Sequence, residues 1–225
     1  MSVNAKSCWA EATIRHSLVM LAVAGAMVLQ TVSAAEAATP QPVALTTEQK
    51  ALVSRIEAFV NEITTVEAEF VQMSGNGGFA RGTLYLQRPG RMRFEYAPPA
   101  PYLLVSNGTF FIFVDKELEQ VTYLPLSQTP AHLLLRQNFS LAEGLILTGF
   151  VEEGAVVKLE VTDEDEPDLG RVILNFNREP LALKGWTVLD PQAQRIQVTL
   201  VDPLYGKELD KSLFVYVNKF DRRKE

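Results

Sequence analysis

Cysteine is nearly missing from this chain: there is one, Cys8, and it lies ahead of an apolar run near the N-terminus. A disulfide framework is therefore excluded beyond that run, and stability has to come from burying apolar surface. Histidine is almost as scarce, with His16 and His132 as the two examples. No cysteine and histidine set with metal-ligand spacing can be assembled from them. The sequence has no G-x-S-x-G elbow, no glycine-rich phosphate loop and no H-E-x-x-H pair. No carboxylate pair stands out from ordinary surface charge as a glycosidase site. His132, alone in a short helical stretch, reads as a surface or capping residue. The acidic run Asp163 to Asp168 (DEDEPD) lacks the glycine spacing of a calcium loop and reads as a solvated hairpin tip. A catalytic role is therefore disfavoured, and no metal or cofactor is expected. Excess basic charge is lacking too: 21 Lys and Arg stand against 27 Asp and Glu, for a net charge of −6. Such a chain is a poor nucleic-acid ligand and has little general attraction to anionic membranes.

What is present begins with a leader. Lys6, Arg15 and His16 precede Leu18 to Leu29 (LVMLAVAGAMVL), which carries no charge. Small residues follow, with an A-x-A pattern at Ala35, Glu36 and Ala37. That order is expected of a cleavable secretory signal over residues 1–37. The run is short of the roughly 20 residues a membrane-spanning helix needs, although an uncleaved anchor is the alternative. Cys8 precedes the run, whereas a lipid-modified bacterial cysteine would follow it, so the protein is not expected to be a lipoprotein itself. Residues 38–225 then form one domain, of a size that buries a proper core.

The first element of that domain reads as a helix. Thr46 and Gln49 fit a capping box, and Leu52, Val53, Ile56, Phe59, Val60 and Ile63 recur at helical spacing. From VEAEFVQ (Val66 to Gln72) onward the period is two. GTLYLQ (Gly82 to Gln87) and RMRFEY (Arg91 to Tyr96) flank Pro89-Gly90. Met92, Phe94 and Tyr96 face one way, Arg91, Arg93 and Glu95 the other, as in a half-buried strand. Asn107-Gly108 between YLLVS and TFFIFV predicts a hairpin with a type I′ turn. Thr129 and Pro130 predict a capped short helix over AHLLLRQN. Further alternating segments end with Phe214 and Tyr216. About ten strands with one long helix and one or two short ones predict a mainly β, α+β domain. Its expected form is a strongly curved antiparallel sheet or barrel, with helices covering the apolar face.

Two local features point beyond packing. In TFFIFV, Phe110, Ile112 and Val114 face one side and Phe111 and Phe113 the other, so this strand has no polar face. It is either a central core strand or part of a sheet curled around an apolar cavity suited to acyl chains. Arg88 shares parity with Leu84 and Leu86, and an arginine on an apolar face needs hydrogen-bond partners. It either reaches water at the strand end or bonds carbonyls of a lid helix over an empty cavity.

The stretch GTLYLQRPGRMRFEYAPPAPYLLVSNGTFFIFVDKELEQVT resembles the core of the LolA family of periplasmic lipoprotein carriers. The matching parts are a Gly-started strand into Arg-Pro, an aromatic-ended strand, a Pro-containing loop and L-V-S-(N/D)-G before an aromatic strand. VEAEFVQ resembles the family's first strand and TPAHLLLRQN its short lid helix. The resemblance implies an incomplete antiparallel β-barrel with an α-helical lid over a hydrophobic cavity. It implies that Arg88 is the lid latch, and that Leu84, Leu86, Met92, Phe94, Tyr96, Leu103, Phe111, Leu133 and Leu134 contact ligand in the cavity. It further implies a monomeric periplasmic carrier that takes lipoprotein acyl chains from an inner-membrane ABC transporter to an outer-membrane acceptor. A carrier of another lipid, such as a glycolipid or hopanoid, and an envelope-stress sensor that binds a membrane regulator are the alternatives. Family members often place other large residues, including Trp, where this chain has Phe94 and Tyr96, which leaves ligand preference open.

Overall fold

The computed structural model describes residues 40–220. The leader features between Lys6 and Ala37 lie outside them. Helix α1 runs Thr47–Glu62, and its start is set by the expected capping box. The Thr46 hydroxyl accepts the Gln49 N–H at 3.2 Å, and the Gln49 side chain accepts the Thr46 N–H at 2.9 Å. Such a cap contributes about 1 kcal/mol. Leu52, Val53 and Ile56 bury one face of the helix. Ile63 has extended backbone and stops it, just where β-branched residues make a strand favourable.

Eleven strands form one antiparallel sheet. They are β1 (Thr65–Ser74), β2 (Phe79–Gln87), β3 (Arg91–Tyr96), β4 (Tyr102–Asn107), β5 (Phe110–Asp115), β6 (Gln120–Pro125), β7 (Leu145–Glu153), β8 (Val156–Asp163), β9 (Arg171–Arg178), β10 (Leu181–Leu189) and β11 (Arg195–Tyr205). The order across the sheet is β6-β5-β4-β3-β2-β1-β11-β10-β9-β8-β7. Hairpins build each wing, and β1 joins them by pairing with both β2 and β11. The edges β6 and β7 do not pair, so the sheet stays open. The chain passes from one edge to the other through residues 126–144, which carry helix α2 (Ala131–Leu135).

Register puts one apolar row after another on the inner face. Leu84 stands opposite Phe94, Phe94 opposite Leu104, and Leu104 opposite Phe113. These rows, α1 and α2 contribute to the main core, which extends across β8 to β11 through Leu159, Leu174, Trp186 and Leu200. Each such fully buried side chain contributes about 1.5–3 kcal/mol relative to exposure. At Gly82 a Cβ would collide with the Glu95 carbonyl oxygen, so β2 and β3 approach this closely only because the residue is glycine.

The outer face has a smaller core of its own. Leu103, Val105, Ile112 and Val114 cluster there with Val121, Tyr216 and Phe220. The doubly apolar strand Phe110–Asp115 thus buries Ile112 and Val114 in this outer cluster, while Phe111 on the inner face packs against the main core and Phe110 is exposed. Phe214 and Tyr216, expected to close the strand series, belong instead to a 3₁₀ turn at Lys211–Phe214 and the segment after it. Arg93 holds this segment by donating to the Leu213 carbonyl at 2.9 Å.

Two local expectations need correction. Only Gly108 of the Asn107-Gly108 pair has positive φ, whereas a type I′ turn needs it at both central residues. Asn107 ends β4, and its side chain accepts the N–H groups of Thr109 and Phe110 at 2.9 Å each. Thr129 does not cap α2; Pro130 occupies that position and the Thr129 hydroxyl donates to the Leu126 carbonyl.

Candidate functional site

Beneath α1 and α2 lies a partly open apolar cavity of about 30 Å³. Its walls are Val60 and Ile63 from the end of α1 and its cap, Leu134 and Phe139 from the α2 segment, and Val66, Leu84, Leu86, Leu174, Leu183, Trp186 and Leu200 from the sheet. Arg88 closes the ring. The volume is room for about two waters, so with the lid in this position no acyl chain fits.

Arg88 follows β2 directly and reaches across to both helical segments. Its Nη1 donates to the Val60 carbonyl at 2.6 Å, Nε to the Arg136 carbonyl at 2.7 Å, and Nη2 to the Gln137 carbonyl at 3.2 Å. Burial lowers the pKa of this guanidinium from its ordinary value. The planar fork suits the task, because its N–H groups point in fixed divergent directions at several carbonyls at once. Two further contacts fasten α1 to the same segment. The Asn61 side chain donates to the Phe139 carbonyl at 2.9 Å and accepts the Phe139 N–H at 2.8 Å. Glu57 accepts the Leu141 N–H at 2.7 Å.

Of the residues singled out from sequence, Leu84, Leu86, Leu134 and Arg88 line this cavity. Met92, Phe94 and Leu133 are buried in the same inner core, with Tyr96 and Phe111 packed against it. Leu103 is a correction. It belongs to the outer cluster, because β4 alternates and the inward positions there are Leu104 and Ser106, opposite Phe94 and Met92. Ser106 breaks the apolar row without cost, since its hydroxyl donates to the buried Gly90 carbonyl at 2.6 Å. The residues missed were those of the second wing, Trp186 and Leu200 above all. Their alternation was visible, but nothing in it said which face would curl inward.

An aromatic chain runs away from the cavity. The Trp186 and Phe94 rings are 6.3 Å apart, Phe94 and Phe70 4.8 Å, and Phe70 and Tyr96 5.2 Å. From Tyr96 it continues to Tyr102 at 6.1 Å and on to Phe113 at 5.4 Å, and Tyr96 and Tyr102 border an open cleft of about 440 Å³ beside Pro98 to Pro101. Burial pushes the Tyr96 phenol up to about 12, against the opposing pull of its 2.7 Å hydrogen bond to Gln72.

His132 and Asp163 also depart from expectation. Asp163 is buried rather than at a solvated tip, and His132 is half-buried and bonded to it at 2.9 Å. The pairing is invisible in sequence because the two residues lie on different elements.

A family model described as the outer membrane lipoprotein carrier protein LolA matches residues 61–217. The chain belongs to the LolA family. The matched span takes in Arg88, the residue that joins sheet to lid, as well as the segment on the outer face. An outer-membrane lipoprotein carrier protein of Methylococcus capsulatus is 31% identical over 177 residues, 72% of this chain and 82% of the relative. One from Pseudomonas aeruginosa is 30% identical over 183 residues, 75% of this chain and 85% of the relative. A solved structure of a LolA superfamily protein from Nitrosomonas europaea matches with 14% identity and a TM-score of 0.44, covering 72% of this chain and 97% of that one.

Proposed function

We propose that this chain is exported with loss of residues 1–37 and works in the periplasm as a carrier of lipoprotein acyl chains. It receives cargo from an inner-membrane ABC transporter and delivers it to an outer-membrane acceptor. The observation that carries this reading is Arg88, whose three bonds reach main-chain carbonyls of both lid segments over an apolar cavity. Membership of the LolA family supports the same reading.

The mechanism follows from the geometry. The cavity is too small for cargo while the lid is down, so loading requires α1 and the α2 segment to lift. Lifting breaks the Arg88 bonds and exposes apolar wall. Each methylene that enters restores about 0.8 kcal/mol of burial. On release the same carbonyls recapture Arg88, and closure expels the chain. Uptake is therefore driven by apolar area and discharge by the polar latch, and neither needs a covalent step.

The test is native mass spectrometry with lipid extraction on protein purified from its own periplasm. Co-purified acylated lipoprotein supports the carrier reading. A free glycolipid or hopanoid replaces the cargo, and protein that is always empty and bound to a membrane regulator overturns the reading.

A further inference from the structure

The open cleft beside Pro98 to Pro101 holds an unfinished edge of the sheet. Strand β2 runs back to Phe79 against β1, but its pairing with β3 begins only at Gly82, opposite Tyr96. Residues 79–81 therefore have a strand on one side and the cleft on the other. Main-chain groups alternate between the two sides of a strand. The Ser74 N–H donates to the Gly78 carbonyl at 2.8 Å, so the main chain of Gly78 faces β1 and that of Phe79 and Arg81 faces the cleft. There the Arg81 carbonyl accepts the Ala97 N–H at 2.8 Å. Past Ala97 the loop runs Pro-Pro-Ala-Pro. Its prolines have no N–H to give, and the Ala100 N–H turns back to the Ala97 carbonyl at 3.2 Å. The composition of this loop thus keeps it from closing the edge at Phe79, which is exposed.

We propose that this edge takes an extended peptide as an added strand, and that the peptide is the segment next to the acylated end of the cargo. The inference rests on the carrier reading given above. An acyl chain has nothing to pair with main-chain N–H and C=O groups, whereas an extended peptide brings both at each non-proline residue. The position of the cleft argues for cargo. Ala80 in the cleft and Leu84 in the cavity wall lie on the same inner face of β2, about 13 Å apart along the strand. The Phe94, Phe70 and Tyr96 rings lie between them, and Tyr102 carries that apolar surface on into the cleft. A molecule with its acyl chain under the lid that continues along this face comes out at Phe79. Main-chain pairing reads no side chain, so the edge accepts peptides of differing sequence. The Tyr96 hydroxyl is already engaged with Gln72 at 2.7 Å, which leaves the ring as a flat wall for the added strand.

The test compares two probes on the intact protein: a fluorescent N-palmitoyl peptide of alternating Ala and Ser, and palmitoyl amide with the same fluorophore. The peptide should tighten binding about tenfold, the worth of one or two main-chain hydrogen bonds, and should slow amide exchange at Phe79 and Arg81. Phe79→Pro removes an N–H on the open side of β2 and leaves the β1 ladder on the other side in place. It should lose the tenfold gain and bind palmitoyl amide as before. N-methylating alternate amides of the peptide should abolish the gain on the native protein, with no variant to fold. Equal affinity for the two probes, or a gain that survives both N-methylation and Phe79→Pro, overturns the added strand and leaves the carrier reading standing. Failure of both palmitoyl probes to bind removes the carrier reading. If the unacylated peptide then still binds through Phe79, the occupant is a segment of a partner protein, which overturns the cargo assignment made here.

Discussion

Replacing Arg88 with leucine tests the latch directly, and its size can be worked from the contacts. Two of the three carbonyls it reaches, those of Val60 and Arg136, lie in part-buried surroundings at 2.6 and 2.7 Å. The third, of Gln137, is exposed and at 3.2 Å, so water replaces it at little cost. A hydrogen bond involving a charged group contributes about 1.5–3 kcal/mol, and the C-terminal end of α1 adds a favourable dipole. Taking the lower figure for two bonds, Arg88 favours the closed lid by about 3 kcal/mol, a factor on the order of 100. A loaded carrier with its lid lifted lacks these bonds, so closure competes with cargo by that factor. Arg88→Leu should fold, bind an acyl probe on the order of 100-fold more tightly and release it correspondingly more slowly. Arg88→Lys should fall between, since an ammonium cannot serve divergent carbonyls as a planar fork does. The assay is transfer of a fluorescent acyl probe from loaded protein to acceptor vesicles. Release at the native rate by Arg88→Leu would show that these bonds do not oppose cargo.

Other expectations follow from the two cores and the titrating groups. Phe94→Ala should cost about 3–5 kcal/mol in urea denaturation, because Phe94 is buried against Phe70 and Trp186; a cost under about 1 kcal/mol would remove it from the core. Phe214→Ala should cost a similar amount, about 3–5 kcal/mol, yet leave probe affinity per folded molecule unchanged, because Phe214 is buried outside the inner core; altered affinity would connect the two faces. Asp163 has a depressed folded-state pKa, so its contribution is present above the carboxylate range and lost as pH falls below about pH 4. Asp163→Asn should accordingly flatten the acid limb of the urea midpoint against pH. In an alkaline absorbance titration the Tyr96 phenolate should form late, near 12, and Tyr96→Phe should remove that step.

Much of the architecture was legible along the chain because its signals are local. The capping box at Thr46 and Gln49 and the helical spacing from Leu52 to Ile63 set α1, and the structure starts it at Thr47. The alternation of Arg91 to Tyr96 matches β3 end to end, with Met92 and Phe94 buried and Arg93 turned outward. Errors arose where a local signal had a distant competitor. Thr129 fits a helix cap, but its hydroxyl is taken by the Leu126 carbonyl. Asp163 looks like part of a solvated acidic run until α2 docks on it. Leu103 looks like a cavity residue until the alternation of β4 is referred to its neighbours across the sheet.

Composition and periodicity by themselves determined a great deal about this protein: a mainly antiparallel domain with one capped amphipathic helix, a stability that rests on apolar burial rather than cysteine pairing, and an arginine out of place on an apolar strand. These follow from interactions within a few residues, where helix turn and strand pleat dictate which side chains are neighbours. Tertiary structure alone decided which face of the sheet is concave, that the C-terminal segment covers the other one, and that Arg88 meets carbonyls 28, 48 and 49 residues away. It also brought His132 to Asp163 across 31 residues. Alternation along a strand sorts side chains into two sets but carries no sign for inside or outside. That sign is set by sheet twist and by what packs on each face, which are properties of the whole chain.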